Sequence, residues 1–176
     1  MKINQATTAP TLEADLAVQT TLMPGTAPFR RCRTAAGSWW YLGNLATPLV
    51  TGADNGGAFA LLDLCLQRGT EPPAHVHQRE DETFYVLDGH LSFTVDDAVL
   101  HAGPGDTVHL PRGRRHRYQL ETEYARVLLH IAPAGFEHFF RQLSEPAQSL
   151  TVPPPPANPD PAHLTALAAT FGVTFG

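Results

Sequence analysis

The chain has 176 residues, of which 43% are hydrophobic, and a formal net charge of −5. This length predicts one domain with extensions, large enough to bury a core without disulfide staples. The net negative charge argues against nucleic acid or an anionic membrane as a partner. Lys2 is the only lysine, so the core has no amine for Schiff-base chemistry.

The N-terminal region is polar and has neither a basic segment nor an apolar run. Together with the lack of any apolar stretch of membrane-spanning length in the sequence, this predicts a cytoplasmic location. Residues 1–26 have little periodicity, and we expect them to form an N-terminal arm. Aromatic and β-prone residues predict the first strands at 38–42 and 46–51, followed by a glycine-rich turn at 53–57.

Short strands separated by turn signals fill the centre of the chain. They are predicted at residues 58–67, 82–87, 90–95, 98–101, 107–110, 115–120 and 125–131. The dipeptide Asp88-Gly89 predicts a tight hairpin, and Asp96-Asp97 and residues 103–106 predict two further turns. Pro111 should end the strand before it, because proline lacks a donor for the ladder. This spacing predicts an all-β sandwich or barrel.

Helices are predicted after the last strand. Phe136, Phe139 and Phe140 have helical spacing within residues 135–143, which predicts a short amphipathic helix packed on the β-structure. A proline-rich linker follows, and Asp160 begins a second helix that runs to Thr170. We therefore divide the chain into three parts. They are the N-terminal arm (1–26), a β-domain with its following helix (27–144), and a proline-rich linker with a C-terminal helix (145–176).

A metal site is predicted from the region between Gly69 and Gly89. His75 and His77 lie one residue apart, and side chains at that spacing point to the same face of a strand. Glu82 has the opposite parity, so it can join that face only if the chain turns or bulges through residues 78–81. Imidazole nitrogens and a carboxylate oxygen are ligands that suit a divalent transition metal ion.

A second region supplies a fourth ligand-type residue. Gly105, Pro111, Gly113 and His116 are spaced as G-x5-P-x-G-x2-H. With the first region, G-x5-H-x-H-x4-E-x6-G, this pattern resembles the paired motifs of the cupin superfamily. The resemblance implies a single cupin jelly-roll β-barrel with short C-terminal helices, since the sequence has no internal repeat. Leu120 stands where the family's second motif usually ends in Asn.

The resemblance also implies a ligand set and an activity. The metal ligands would be His75, His77, Glu82 and His116, holding one divalent ion from among Fe, Mn, Ni, Co, Cu and Zn. The chain looks most like single-domain bacterial quercetin 2,3-dioxygenase-like cupins, which implies a dioxygenase that uses O2 to cleave the heterocyclic ring of a flavonol or similar enol. Glu82 would be the catalytic base, Phe84 and Tyr118 would line the substrate pocket, and the protein would be a homodimer.

Two other classes of function remain open. One is a metal-dependent isomerase or lyase that acts on a sugar or keto acid and binds an anion through arginines. Candidates for that clamp are Arg112, Arg114, Arg115 and Arg117. The other is a small-molecule-binding cupin without catalysis. His109 is a candidate for a residue that supports a metal ligand, and Cys32 and Cys65 are expected to be free thiols.

Overall fold

Antiparallel strands with alternating burial make up most of the chain in the computed structural model, which describes residues 27–154 and 160–176. One sheet has seven strands: β1 (Trp39–Tyr41), β2 (Asn44–Val50), β3 (Ala60–Gln67), β5 (Asp81–Asp88), β8 (Thr107–Leu110), β10 (Tyr124–Ala132) and β11 (Ser144–Pro146). The other sheet has five: β4 (His75–His77), β6 (Leu91–Val95), β7 (Ala98–Ala102), β9 (His116–Leu120) and β12 (Val173–Phe175). Three helices accompany them: α1 (Gly52–Asn55), α2 (Glu137–Gln142) and α3 (Pro161–Thr170).

The strand order is β11-β1-β2-β3-β10-β5-β8 in the large sheet and β12-β4-β9-β6-β7 in the small one. Both sheets contribute apolar side chains to one core, in which Leu62, Val86, Phe93 and Ile131 are fully buried. This confirms the predicted all-β jelly-roll fold. The two sheets stay separate, since no strand pairing among the described residues joins them into a closed barrel.

The connection at Asp88-Gly89 differs from the prediction. β5 pairs with β8 and β10, whereas β6 pairs with β7 and β9, so the chain crosses here from the large sheet to the small sheet. The predicted hairpin is therefore wrong. Gly89 has φ +79°, and a Cβ there would lie 2.4 Å from the carbonyl oxygen of Tyr124. Only glycine fits this close crossing.

Two other turns test the sequence prediction with opposite results. Asp96-Asp97 joins β6 to β7 as a two-residue hairpin, in which Val95 pairs with Ala98, as predicted. The glycine-rich stretch predicted as a turn instead forms the single-turn helix α1. The Asp54 carboxylate stabilises its start by accepting a hydrogen bond from the Thr51 amide at 2.8 Å.

The helices after the strands form as predicted. Phe136, Phe139 and Phe140, at the start of α2 and within it, are all buried against the core. Asp160 caps α3 by accepting a hydrogen bond from the Ala162 amide at 2.9 Å. β12, which follows α3, was not predicted. It pairs with β4, and its Val173 and Phe175 lie opposite His77 and His75.

The structure tests the remaining predictions only in part. The N-terminal arm and residues 155–159 of the linker lie outside the described residues, so the three-part division of the chain stays a prediction. Cys32 and Cys65 are both free, as expected. Within the part of the chain that the structure describes, no helix has the length and apolar character needed to cross a membrane.

Glu137 ties α2 to two loops from inside the protein. The residue is 2% exposed, and its carboxylate accepts hydrogen bonds from the amides of Gly52 at 2.9 Å and Gly135 at 2.5 Å. We expect Glu137→Ala to lower the free energy of unfolding by about 2–3 kcal/mol, because the substitution leaves both amides without their charged acceptor. Urea unfolding followed by circular dichroism measures this.

Glu145→Ala is the matched control for that variant. Glu145 is exposed on β11, and surface changes of this kind shift stability by about 0.5 kcal/mol or less. Equal unfolding midpoints for the two variants would show that Glu137 does not hold the loops.

Candidate metal centre

Strand pairing brings the four predicted ligand residues together. His75 in β4 pairs directly with His116 in β9, and His77 lies on the same face of β4 two residues on. Glu82 comes from β5 in the other sheet. The chain leaves β4 after His77 and enters β5 at Asp81, and this change of sheet overcomes the opposite parity of Glu82.

The four side chains meet at one buried point. Each offers one ligand atom, and these atoms all lie within 4.8 Å of one another. The Glu82 Oε2 atom is 3.6 Å from the Nε2 of His77 and 3.4 Å from the Nε2 of His116. All four residues are at most 8% exposed. Three imidazoles and a carboxylate at these distances can hold one divalent transition metal ion.

Unpaired ring nitrogens support this interpretation. The Nε2 atoms of His77 and His116 are buried and have no hydrogen-bond partner among the described residues. Buried polar atoms in proteins nearly always have a partner, so two such nitrogens beside one carboxylate indicate a site for a cation. The residues therefore fit a metal ion.

Burial and charge set the protonation of the group. Burial lowers the pKa of His75 to about 4, against the opposing attraction of Glu82, so this ring is neutral at pH 7. Burial also acts to lower the pKa of His77, but Glu82 and Glu80 outweigh it and the pKa is raised. For Glu82, burial acts to raise the pKa, yet the imidazoles, His77 foremost, lower it to about 2. Glu82 is therefore an anionic group held beside the imidazoles.

A cavity of about 350 Å³ opens from this group. Phe84 and Tyr118, the two predicted pocket residues, both line it, and their contact with a substrate stays a prediction. Sequence analysis missed most of the other aromatic wall, which comes from distant parts of the chain: Tyr41, Phe136, Phe139, Phe140 and Phe175. The helical spacing of three of these phenylalanines predicted burial, but gave no signal that they face the cavity.

The predicted arginine clamp does not form at the cavity. Arg112 binds Asp81, Arg114 pairs with Asp96, and Arg115 donates to the carbonyl oxygen of Gly176 at 2.9 Å. Arg117 is exposed on β9 and does not line the cavity. None of the described residues that line the cavity is an arginine or a lysine. Among the described residues, the cavity wall therefore offers no guanidinium or ammonium group to an anionic substrate.

His109 does not support a metal ligand, and another residue lies where a supporting group is needed. The Nδ1 of His109 contacts the hydroxyl of Thr83 at 3.0 Å on the exposed side of the large sheet. Glu80, which we assigned only to a turn, is 4% exposed and faces the Nδ1 of His77. The sequence around Glu80 does not predict that its side chain points into the protein.

A two-sheet jelly roll that brings three histidines and one glutamate to a buried point is the architecture of the cupins. Residues 62–132 match the family model described as Cupin domain, and they include all four of these residues. The match indicates a cupin domain over residues 62–132 of this chain.

Curated proteins and solved structures that are similar to this chain include the following three. Quercetin 2,3-dioxygenase of Bacillus subtilis (strain 168) is 29% identical over 145 residues, which cover 82% of this chain and 43% of that protein. Polyketide synthase CurC of Streptomyces cyaneus is 29% identical over 94 residues, which cover 52% of this chain and 58% of that protein. The chain thus spans about half the length of these relatives. The structure of KdgF from Halomonas sp. matches with a TM-score of 0.51 at 18% identity, covering 57% of this chain and 91% of that one, which shows a shared fold.

Proposed function

We propose that this protein is a metal-dependent dioxygenase of the quercetinase type, which cleaves the heterocyclic ring of a flavonol or a similar enol with O2. The observation that carries the proposal is a group of three histidines and one glutamate at the base of an aromatic-lined cavity. Similarity to quercetin 2,3-dioxygenase of Bacillus subtilis supports the same activity. The cavity volume lies within the range of about 300–1,000 Å³ that is typical of small-molecule pockets.

The ion would be held by the Nε2 atoms of His75, His77 and His116 and by the Glu82 carboxylate. A divalent first-row transition metal ion would supply Lewis acidity and open positions for oxygen ligands. Four protein ligands leave one or two such positions on an ion that takes five or six. Those positions would face the cavity, since the cavity wall includes all four residues.

Glu82 is the base that we propose for the substrate hydroxyl. The carboxylate is ionised at neutral pH, so it is available to accept the proton of a flavonol 3-hydroxyl bound beside it, and a bound metal ion would make that hydroxyl more acidic. The resulting enolate is electron-rich at the ring that reacts with O2. Addition of both oxygen atoms across that ring, followed by ring opening, releases carbon monoxide and an ester of two aromatic acids.

The cavity wall suits a flat aromatic substrate. Phe84 and Tyr118 lie close together, with ring centroids 5.8 Å apart, and Phe136 stands edge-on to His77 at 4.4 Å. Burial, with the charge of Glu82, raises the pKa of Tyr41 and of Tyr118, so both hydroxyls stay protonated and can donate hydrogen bonds to a substrate. Apolar walls also exclude water from the bound enolate.

The position of all four arginines away from the cavity wall weighs against an isomerase or lyase that binds an anionic sugar or keto acid through them. A binding protein without turnover would use the same cavity, so only an assay separates it from the dioxygenase. The proposed homodimer and cytoplasmic location stay predictions.

The test is aerobic incubation of the purified protein with quercetin. Metal-free protein is loaded in turn with iron, manganese, nickel, cobalt or copper, and quercetin absorbance and carbon monoxide release are followed. We expect bleaching with release of one carbon monoxide per quercetin for at least one ion, and none without oxygen. A protein that binds the ions but bleaches quercetin with none of them is not a quercetinase.

A further inference from the structure

Two of the three imidazoles are oriented by main-chain carbonyl groups. The Nδ1 of His75 lies 2.9 Å from the carbonyl oxygen of Pro73, and the Nδ1 of His116 lies 3.0 Å from that of Arg114. In both cases the acceptor is two residues earlier in the chain. A hydrogen on Nδ1 that is donated to such an oxygen leaves the lone pair on Nε2, which faces the centre of the group.

His77 differs from the other two. Its Nδ1 faces the Oε2 of Glu80 across 3.5 Å, and neither atom has a hydrogen-bond partner among the described residues. Both side chains are nearly fully buried. A buried carboxylate oxygen without a partner is costly, so a hydrogen on Nδ1 that is directed at this oxygen would stabilise both groups.

No neighbouring cation accounts for the position of Glu80. Arg112 does not pair with it, because Arg112 binds Asp81 through Nε and Nη2, at 2.9 and 2.8 Å. Glu80 lies between β4 and β5, directed inward, whereas its neighbour Asp81 is directed outward to this arginine. The only described polar group that faces the Oε2 of Glu80 at salt-bridge distance is the His77 ring.

We propose that Glu80 is a positioning residue, which accepts the Nδ1 hydrogen of His77 and so directs its Nε2 at the metal ion. This inference rests on the metal centre of the proposed function. A carboxylate acceptor makes the Nε2 of His77 more basic, and so a stronger metal ligand, than the Nε2 atoms of the two rings whose Nδ1 faces a carbonyl group. It also gives the centre a second negative charge, so that Glu80 and Glu82 together balance a divalent ion within the protein.

The test compares metal binding by four variants, using cobalt(II) alone as the probe. Chelator competition gives the cobalt affinity of Glu80→Ala, Glu80→Gln, Glu80→Asp and the control Asp81→Asn. We expect Glu80→Ala to bind about 10- to 100-fold more weakly than the wild type. Glu80→Gln keeps an acceptor but loses the charge, so its loss should be smaller, and Glu80→Asp should recover part of the affinity. Asp81→Asn should bind as the wild type does.

Proton NMR of the cobalt-loaded protein distinguishes positioning from a general structural role. Each Nδ1 hydrogen of a cobalt-bound imidazole gives a strongly shifted, exchangeable signal, so the wild type should give three. In Glu80→Ala we expect the His77 signal to vanish by exchange with water, while those of His75 and His116 stay. A loss of packing alone would not single out one ring.

The outcomes separate this inference from the proposed function. Unchanged cobalt affinity in Glu80→Ala, or three retained signals, overturns the role of Glu80. A wild type that binds no cobalt overturns the metal centre and this role together. A wild type that binds cobalt and other ions but does not bleach quercetin overturns the dioxygenase while the role of Glu80 stands.

Discussion

His116→Ala is expected to abolish stable metal binding. His116 is the candidate ligand that comes from β9, so its removal takes one imidazole from the group without cutting the main-chain pairing with β4. Changes in residues that merely support a ligand cost about 10- to 100-fold in affinity, and loss of a ligand should cost more. Elemental analysis after loading and desalting should find about one ion per chain in the wild type and almost none in the variant.

His109→Ala is the matched control, since it also removes one histidine from a strand. His109 lies on the exposed side of β8 and contacts only Thr83 through its ring nitrogen, so we expect an unchanged metal content. If His116→Ala keeps a full complement of ion, the four residues are not a metal centre.

Glu82→Gln is expected to lower the rate of quercetin cleavage by about 100- to 10,000-fold, the usual contribution of a general base. The amide has nearly the same size as the carboxylate, so the cavity keeps its shape, but it cannot accept the substrate proton. Three imidazoles remain and the glutamine amide oxygen can still act as a ligand, so metal binding should be weakened less than in His116→Ala. Single-turnover bleaching, corrected for metal content, measures the chemical step alone.

Asp81→Asn makes the same chemical change one residue earlier on the same strand. Its carboxylate points outward and binds Arg112, so the rate should match that of the wild type. A Glu82→Gln variant that keeps the wild-type rate at equal metal content would assign proton acceptance to another group.

The candidate ligands could be predicted from sequence because their spacing follows from strand geometry. His75 and His77 share a face by the two-residue period of a strand, and the glycine and proline positions mark the turns around them. The opposite parity of Glu82 predicted a turn or bulge before it, and the chain does change direction between His77 and Asp81. The four polar residues 78–81 do not predict that the chain also passes from one sheet to the other at this point.

The errors concern contacts between distant segments. Asp88-Gly89 has the composition of a hairpin, but the crossing depends on Tyr124, which lies 35 residues after Gly89 and leaves no room for a side chain. Glu80 and His109 were judged by their neighbours in sequence, and the side to which each points is set by pairing with other strands. Phe175 lies beyond the last predicted helix and reaches the cavity only through the pairing of β12.

The pairing of β12 with β4 has a consequence for how this protein behaves in a crowded solution. β4 has three residues, and without β12 its outer main-chain donors and acceptors would be open to a strand from another molecule. Association at that edge would pull directly on His75 and His77. β12 instead takes the edge position of the small sheet and also forms part of the cavity wall, so a strand from another molecule would pair with β12 and not with β4. Proteolytic removal of β12 is therefore expected to expose the edge of β4 and to increase aggregation.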